Sequence, residues 1–184
     1  MRKEIRLAGF GGQGLILAGI ILARAAAMYA GLEAAQRQSY GSEARGGASR
    51  AEVVISDEPI DYPEVIAGRD DILLAMGGAA LTQYLKDVRP GGVVIYDPDL
   101  IVNIPEADAK FYPIPAAKIA EGLGQRIVAN MVMVGALNEI TGILPIDAVK
   151  QSVASVVKAG TEELNARAVD AGVAEAKKLM AKAA

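Results

Sequence analysis

Near the amino terminus, "GFGGQG" at positions 9–14 places four glycines and one amide between a short apolar run and a long one. A glycine loop between strand and helix has a clear physical use. Without Cβ atoms an anion can approach the backbone, where free N–H groups and the positive end of the helix dipole meet it. Gly9, Gly11, Gly12 and Gly14 suit that use, and Gln13 can add a side-chain amide. The same residues also suit a tight strand–helix turn with no ligand. A second loop, "SYGSEARGG" at 39–47, sets Gly41, Glu43, Arg45, Gly46 and Gly47 close together. Gly46-Gly47 allows positive φ, so the loop can fold tightly around Arg45. The planar Arg45 guanidinium matches a phosphate or carboxylate, and Glu43 can orient it. An exposed turn with a surface ion pair is the plainer alternative. Ser39 and Tyr40 either hydrogen-bond a ligand or shape the turn.

What is missing narrows the chemistry further. The chain has no Cys and no His. It therefore cannot hold a thiolate-bound iron–sulfur cluster, a zinc site of the usual kind, or a Ser-His-Asp or Cys-His set. It also lacks the usual general base near neutral pH. Carboxylates, Lys, Arg and Tyr are left, and no pair of them makes a convincing catalytic set, so no catalytic residue is assigned. Asp97 and Asp99 read as turn formers, and Gly77-Gly78 as a strand–helix turn. Asn130, in an apolar stretch, needs hydrogen-bond partners and reads as fixing a loop or an interface.

Composition sets the frame. The 184 residues suit one domain, 1–184, with its own core. The 52% hydrophobic content argues against disorder. No apolar run reaches the ~18 residues of a spanning helix. A net charge of -3 with both signs dispersed argues against a nucleic-acid surface. Arg2, Lys3 and the run "GLILAGIILA" resemble a signal peptide, but Glu4 and Arg6 break the charge pattern and glycines precede the run. With no Cys, a cytoplasmic location is expected.

The elements that position these loops follow from pattern. Strands are expected at 5–8, 32–38, 51–56, 71–76 and 91–97, with a short extended piece at 111–115. Helices are expected at 15–30, 79–88, 116–122, 127–140, 146–158 and 161–182. The helix at 127–140 is apolar almost all round, which implies burial on several sides. The last helix carries a narrow stripe of Leu164, Ala168, Gly172, Ala176 and Leu179, so another backbone can come close. Either feature suits docking to a partner or packing within the chain. Alternating strands and helices imply a three-layer α/β/α, Rossmann-like domain with a mainly parallel sheet and a helical C-terminal segment. Ligands of such sheets sit beyond the carboxyl ends of the strands. Loops 9–14, 39–50, 76–79 and 97–105 are expected to gather at that edge.

Gly9, Gly11 and Gly14 match the dinucleotide fingerprint, which also expects an acid at the end of the second strand. Glu33 has about the right spacing but falls where that strand starts. The strand end falls near Gln38 and Ser39, which are not acidic. Nicotinamide dinucleotide binding is therefore not expected. A self-standing nucleotide-binding oxidoreductase and a ligand-binding regulatory dimer are the alternatives weighed against the next reading.

"GFGGQG", "SYGSEARGG" and "NMVMVGAL" (130–137), in that order, resemble the gamma subunit of 2-oxoacid:ferredoxin oxidoreductases over nearly the whole chain. Phe10, where pyruvate-type relatives tend to show Arg, and the Ser-Tyr-Gly start of the second loop are more similar to the 2-oxoglutarate type. The resemblance implies a complex that oxidatively decarboxylates a 2-oxoacid, reduces ferredoxin and forms an acyl-CoA. It implies thiamine diphosphate between alpha and beta subunits, and iron–sulfur clusters in other chains, including a ferredoxin-like delta subunit. In single-chain pyruvate relatives the equivalent domain helps bind coenzyme A near its glycine loop, which Gly9, Gly11, Gly12, Gln13 and Gly14 match here. The relatives' Asn-Lys pair in the following helix matches Gly19-Ile20, which offer no polar replacement; Arg45 is the candidate for the missing charge.

Overall fold

The computed structural model describes residues 1–40 and 47–183. Strand β1 (Arg2–Phe10) leads through the glycine loop into α1 (Leu15–Arg24), which a π-helical turn extends over Ala25–Tyr29. Strands β2 (Glu33–Tyr40) and β3 (Ala48–Ser56) follow, then β4 (Asp70–Ala75) and α2 (Gly78–Tyr84). Next come β5 (Val88–Tyr96), β6 (Ala109–Pro113) and α3 (Ala116–Gly122). A 3-10 turn at Arg126–Val128 opens into α4 (Ala129–Thr141), followed by α5 (Ile146–Val156) and α6 (Glu162–Ala183). No helix among the described residues is long and apolar enough to cross a membrane.

The six strands form one sheet in the order β2-β3-β1-β4-β5-β6. The pairings β1–β4, β4–β5 and β5–β6 are parallel. Strand β3 runs against both β1 and β2, so the sheet is mixed: a parallel half and a reversed strand inside the other half. The reason lies in the connection. Strands β2 and β3 are antiparallel sequence neighbours, whereas parallel neighbours need a long crossover, usually a helix. Side-chain alternation then divides the core. Ile5, Leu7, Val53, Ile55, Ile72, Leu74 and Ile95 face α1 and α3 to α6. Ala8, Leu73, Ala75 and Val94 face α2 and the segment after β5.

Strand β1 is longer than its apolar centre predicts, because its charged residues are buried in pairs. Arg6 is 4% exposed and grips the fully buried Asp70 through Nε (2.8 Å) and Nη2 (3.1 Å). Its Nη1 lies 3.6 Å from both Glu52 and Asp87, and its guanidinium lies 4.7 Å from the centre of the Tyr84 ring. Arg50 extends the cluster to Glu52 (3.3 Å) and to the Tyr84 hydroxyl (3.2 Å). Such pairing is how strongly charged side chains become buried. Burial raises the Asp70 carboxyl to about 7, with Asp87 and Glu52 adding to the rise and Arg6 opposing it. Three carboxylates surround Arg6, and Asp70 is the most buried of them.

On the other face, α4 and α6 touch backbone to backbone. A Cβ at Gly172 would lie within bonding range of the Val132 carbonyl oxygen and 2.8 Å from its carbon. One at Gly135 would lie 2.9 Å from the Val169 carbonyl carbon. Ala129 through Asn138 are all buried. The apolar helix and the small-residue stripe, for which docking to a partner and packing within the chain were both open, therefore pack on each other.

Two outcomes follow. Gly172→Ala is expected to lower stability by ~1–3 kcal/mol, even though Ala favours a helix by ~1 kcal/mol over Gly; a denaturation midpoint at or above the parent's would contradict the crossing. Asp70 is raised from the ordinary 3.8 to about 7, so between those values the folded chain holds a proton that the unfolded chain has lost. The stabilisation linked to that proton is fully present below the lower value and declines as pH rises through the higher one, by at most ~1.4 kcal/mol per pH unit. Urea melts from pH 5 to 8 should show this decline in the parent and a flatter profile in Asp70→Asn.

Candidate functional site

The glycine loop is held from outside by a side chain of its own. Gln13 Oε1 accepts from the Phe10 N–H (2.7 Å) and Gln13 Nε2 donates to the Met76 carbonyl (2.7 Å). The Gln13 amide, proposed from sequence as a ligand donor, is thus engaged by the ends of β1 and β4. Gly9 makes room for it, since a Cβ there would collide with the Gln13 amide and lie 2.8 Å from Leu15 Cδ1. Gly12 and Gly14 have φ of +90° and +71°, left-handed values that Gly adopts without the Cβ penalty. Asn130, 4% exposed, donates through Nδ2 to the Gly14 carbonyl (3.1 Å) and accepts from the Met131 N–H (2.9 Å). It ties α4 to the loop, so the loop-fixing role expected for it is the one the geometry gives.

This bracing leaves the start of α1 open. Gly14 is its cap, no side chain caps it, and no acid lies in its first turn. The first intrahelical bond runs from the Ala18 N–H to the Gly14 carbonyl (3.0 Å). The N–H groups of Leu15, Ile16 and Leu17 have no acceptor among the described residues, as helix geometry dictates for a first turn. The short helix α3 differs. Its first turn is occupied by Asp97, whose Oδ2 accepts from the Ala117 N–H (2.8 Å) while Oδ1 accepts from the Asp99 N–H (2.9 Å). Asp97 is fully buried, and burial raises its carboxyl pKa against the pull of those two N–H groups. It is the turn former the sequence suggested, and it also fills an anion position.

The loops expected at the carboxyl edge meet there as far as they are described. The Gly11 N–H donates to the Gly47 carbonyl (2.8 Å), joining the two glycine loops, and the Met76 N–H donates to the Ala8 carbonyl (2.9 Å). Gly77 leaves space for the Phe10 ring, whose Cε2 would lie 2.6 Å from a Cβ there. Ser39 is exposed on β2, and Tyr40 ends that strand opposite Ser49. Gly41, Arg45 and Gly46 lie outside the described residues, as does Glu43. Gly19 lets α1 lie close on β3, where a Cβ would be 2.8 Å from Ala51 Cβ; an Asn at that position would not fit. Glu33 pairs with Ser56 at the opposite edge of the sheet, and β3 separates β2 from β1. The ribose position of a dinucleotide fold is thereby lost.

Gly12 stands where clefts meet. One of about 320 Å³ is lined by Gln13, Met76, Leu100, Ala117 and Arg126. Another of about 350 Å³ extends past Gly14 to the turn between α5 and α6, reaching Lys158 and Asn165. Arg126, Lys158 and Asn165 escaped the sequence reading because they lie more than 110 residues from the glycine loop and in no motif. Phe10 at the end of β1, Val102 after β5 and Ile127 in the 3-10 turn before α4 are large apolar side chains at 42%, 83% and 73% exposure.

Comparison with known proteins agrees with this architecture. The family model described as pyruvate ferredoxin/flavodoxin oxidoreductase matches residues 4–175. The 2-oxoglutarate synthase subunit KorC of Methanothermobacter marburgensis is 53% identical over 179 residues, covering 94% of this chain and 95% of that protein. The keto/oxoacid ferredoxin oxidoreductase gamma subunit of Geobacter sulfurreducens superposes with a TM-score of 0.85 at 41% identity, covering 96% of this chain and 99% of that one. The 2-oxoglutarate:ferredoxin oxidoreductase of Magnetococcus marinus, solved with 2-oxoglutarate, coenzyme A and succinyl-CoA, also gives 0.85, at 28% identity over 97% of this chain and 31% of its own.

Replacing Gln13 by Leu strands the Phe10 N–H and the Met76 carbonyl. A loss of ~2 kcal/mol is expected, with faster amide exchange at Phe10; unchanged exchange there would show that the loop stands without its brace.

Proposed function

The chain belongs to the pyruvate ferredoxin/flavodoxin oxidoreductase family, and we propose that it is the gamma subunit of a 2-oxoglutarate:ferredoxin oxidoreductase in which its glycine loop faces coenzyme A. The complex converts 2-oxoglutarate and coenzyme A to succinyl-CoA and carbon dioxide, with the electrons passing to ferredoxin. Support for the substrate comes from the 53% identity to a 2-oxoglutarate synthase subunit. Phe10 and the Ser39-Tyr40-Gly41 start of the second loop point the same way. Thiamine diphosphate and iron–sulfur clusters belong to the alpha, beta and ferredoxin-like delta subunits in this reading, and a chain without Cys offers no thiolate for a cluster. A cytoplasmic location accompanies it.

The observation that carries the coenzyme A reading is the open first turn of α1. Its cap and first turn hold no carboxylate, and Gly12 and Gly14 leave the backbone approachable, which suits a pyrophosphate. Ser39, Tyr40, Gly41, Arg45, Gly46 and Gly47 supply the second loop, with the Arg45 guanidinium as counter-charge. Phe10, Val102 and Ile127 on the same edge suit contact with the subunit that handles the oxoacid, since a ligand held here must react with groups another chain provides.

Two measurements test this. Tagged chain recovered from native cells should bring thiamine- and iron–sulfur-bearing partners and coenzyme A-dependent oxidation of 2-oxoglutarate; recovery of the chain by itself, or preference for pyruvate, overturns the assignment. In the assembled complex Arg45→Ala should raise the KM for coenzyme A by ~10-fold or more with kcat little changed; an unaltered KM removes Arg45 from the site.

A further inference from the structure

The two edges of the sheet are finished differently. Strand β6 has five residues and ends at Pro113. Strand β2 has eight residues, contains no proline and holds one unbroken register with β3. It stands last in the sheet order, so one side of its backbone faces no strand. Bond parity tells which residues face outward. In an antiparallel pair, opposite residues that exchange N–H···O bonds alternate with those that do not. The Asp57 N–H donates to the Met1 carbonyl and the Gly11 N–H to the Gly47 carbonyl. Odd-numbered residues of β3 therefore bond to β1, and even-numbered ones to β2. Those even residues stand opposite Glu33, Ala35, Arg37 and Ser39. The backbone N–H and C=O groups of Ala34, Gln36 and Gln38 consequently point away from the sheet, and none of them bonds to another described residue.

Natural sheets blunt an open edge with proline, a bulge, a short strand or charged side chains. Only the last applies to β2, and its charges, Glu33 and Arg37, are opposite in sign and on one face. A two-fold axis at Ala35 turns them into a fit. Antiparallel pairing about that axis sets Glu33 opposite the partner's Arg37, and Arg37 opposite the partner's Glu33. Ala34 then stands opposite the partner's Gln36, and those outward-facing residues exchange N–H···O bonds. The axis itself crosses a non-hydrogen-bonded pair, the closer kind, where two alanines fit. Moving the axis to Arg37 would set two arginines face to face, which is destabilising. Arg37 also pairs with Glu64. Both side chains are about half exposed, so that contact contributes little and is readily exchanged. Met28 and Tyr29, exposed apolar side chains, stand on the turn that packs against β2. We propose that two copies of this chain join through β2 about a two-fold axis at Ala35, continuing one sheet into the next. The glycine loop follows β1, on the far side of β3, so this pairing and the coenzyme A reading stand or fall separately.

Sedimentation equilibrium of the full chain should show a monomer–dimer equilibrium below ~100 µM. Arg37→Glu and Glu33→Arg should each raise the dimer Kd ~10-fold or more, and the two together should restore it, because both cross-strand pairs are then reversed and intact. Glu64→Gln, which removes only the intrachain partner of Arg37, should leave the Kd unchanged. Ala35→Cys gives a chain without cysteine a single thiol, next to its twin across the axis, and diamide should convert it to a disulfide-linked dimer. Ser39→Cys, far from the axis, should stay monomeric under the same treatment. A chain that is monomeric throughout the concentration range, a Kd indifferent to the charge reversals, or single losses that the double reversal does not repair overturns the pairing. Equal losses in Glu64→Gln and Arg37→Glu, or a covalent dimer formed as readily from Ser39→Cys as from Ala35→Cys, overturns the placement of the axis.

Discussion

The site depends on the two hydrogen bonds of one amide. Gln13 reaches back to the Phe10 N–H and across to the Met76 carbonyl, so the loop is anchored to the ends of two adjacent parallel strands. Because the bracing comes from a side chain below the loop, the backbone above it is spared. Asn130 completes the support by fixing the Gly14 carbonyl from α4. A loop held in this way keeps its N–H groups oriented without any ligand, so little ordering cost is left for binding. In the comparison with α3, where Asp97 occupies the first turn, the difference between a filled and an open helix start comes down to which neighbouring strand ends in a carboxylate.

Below the loop the two faces of the sheet are stabilised by different means. The face toward α4 and α6 is apolar, and Gly135 and Gly172 let those two helices approach to backbone contact. The face toward the short α2 has little apolar cover to offer, and there the Arg6–Asp70 pair, Glu52, Asp87 and Tyr84 fill the space. Breaking such a pair leaves an uncompensated buried charge, so this face is specified by complementarity more than by apolar area. The consequence is a rigid base under the edge of the sheet that carries the glycine loop.

Much of this was legible from local pattern. The first helix with its π-helical extension, the buried helix after residue 127 and the final long helix all carry strong periodicity or extreme composition, and they occur within a residue or two of their expected limits. The reversed β3 was not legible, because alternation in "AEVVIS" is the same in either direction and the connection before it carries no direction signal. The full length of β1 was hidden as well. Lys3, Glu4 and Arg6 look like surface residues until Asp70 and Asp71, more than sixty positions away, are placed beside them. Docking to a partner and packing within the chain were both open for the apolar helix for a related reason: a hydrophobic face does not name what covers it, and here α6 packs on it.

By itself the sequence determined which chemistries this chain could never perform, because Cys and His are absent and no fold can restore them. It also determined where the backbone would be bare enough for an anion, because only glycine removes the Cβ. Tertiary structure decided the rest: that Gln13 braces the loop, that Asn130 and Asn165 come from distant helices to border the same edge, and that α1, with no acid in its first turn, starts open. The Gln13 and Asn130 contacts join residues 63 and 116 positions apart. A short-range pattern carries no information about such contacts, because they exist only once the sheet and the helices have packed.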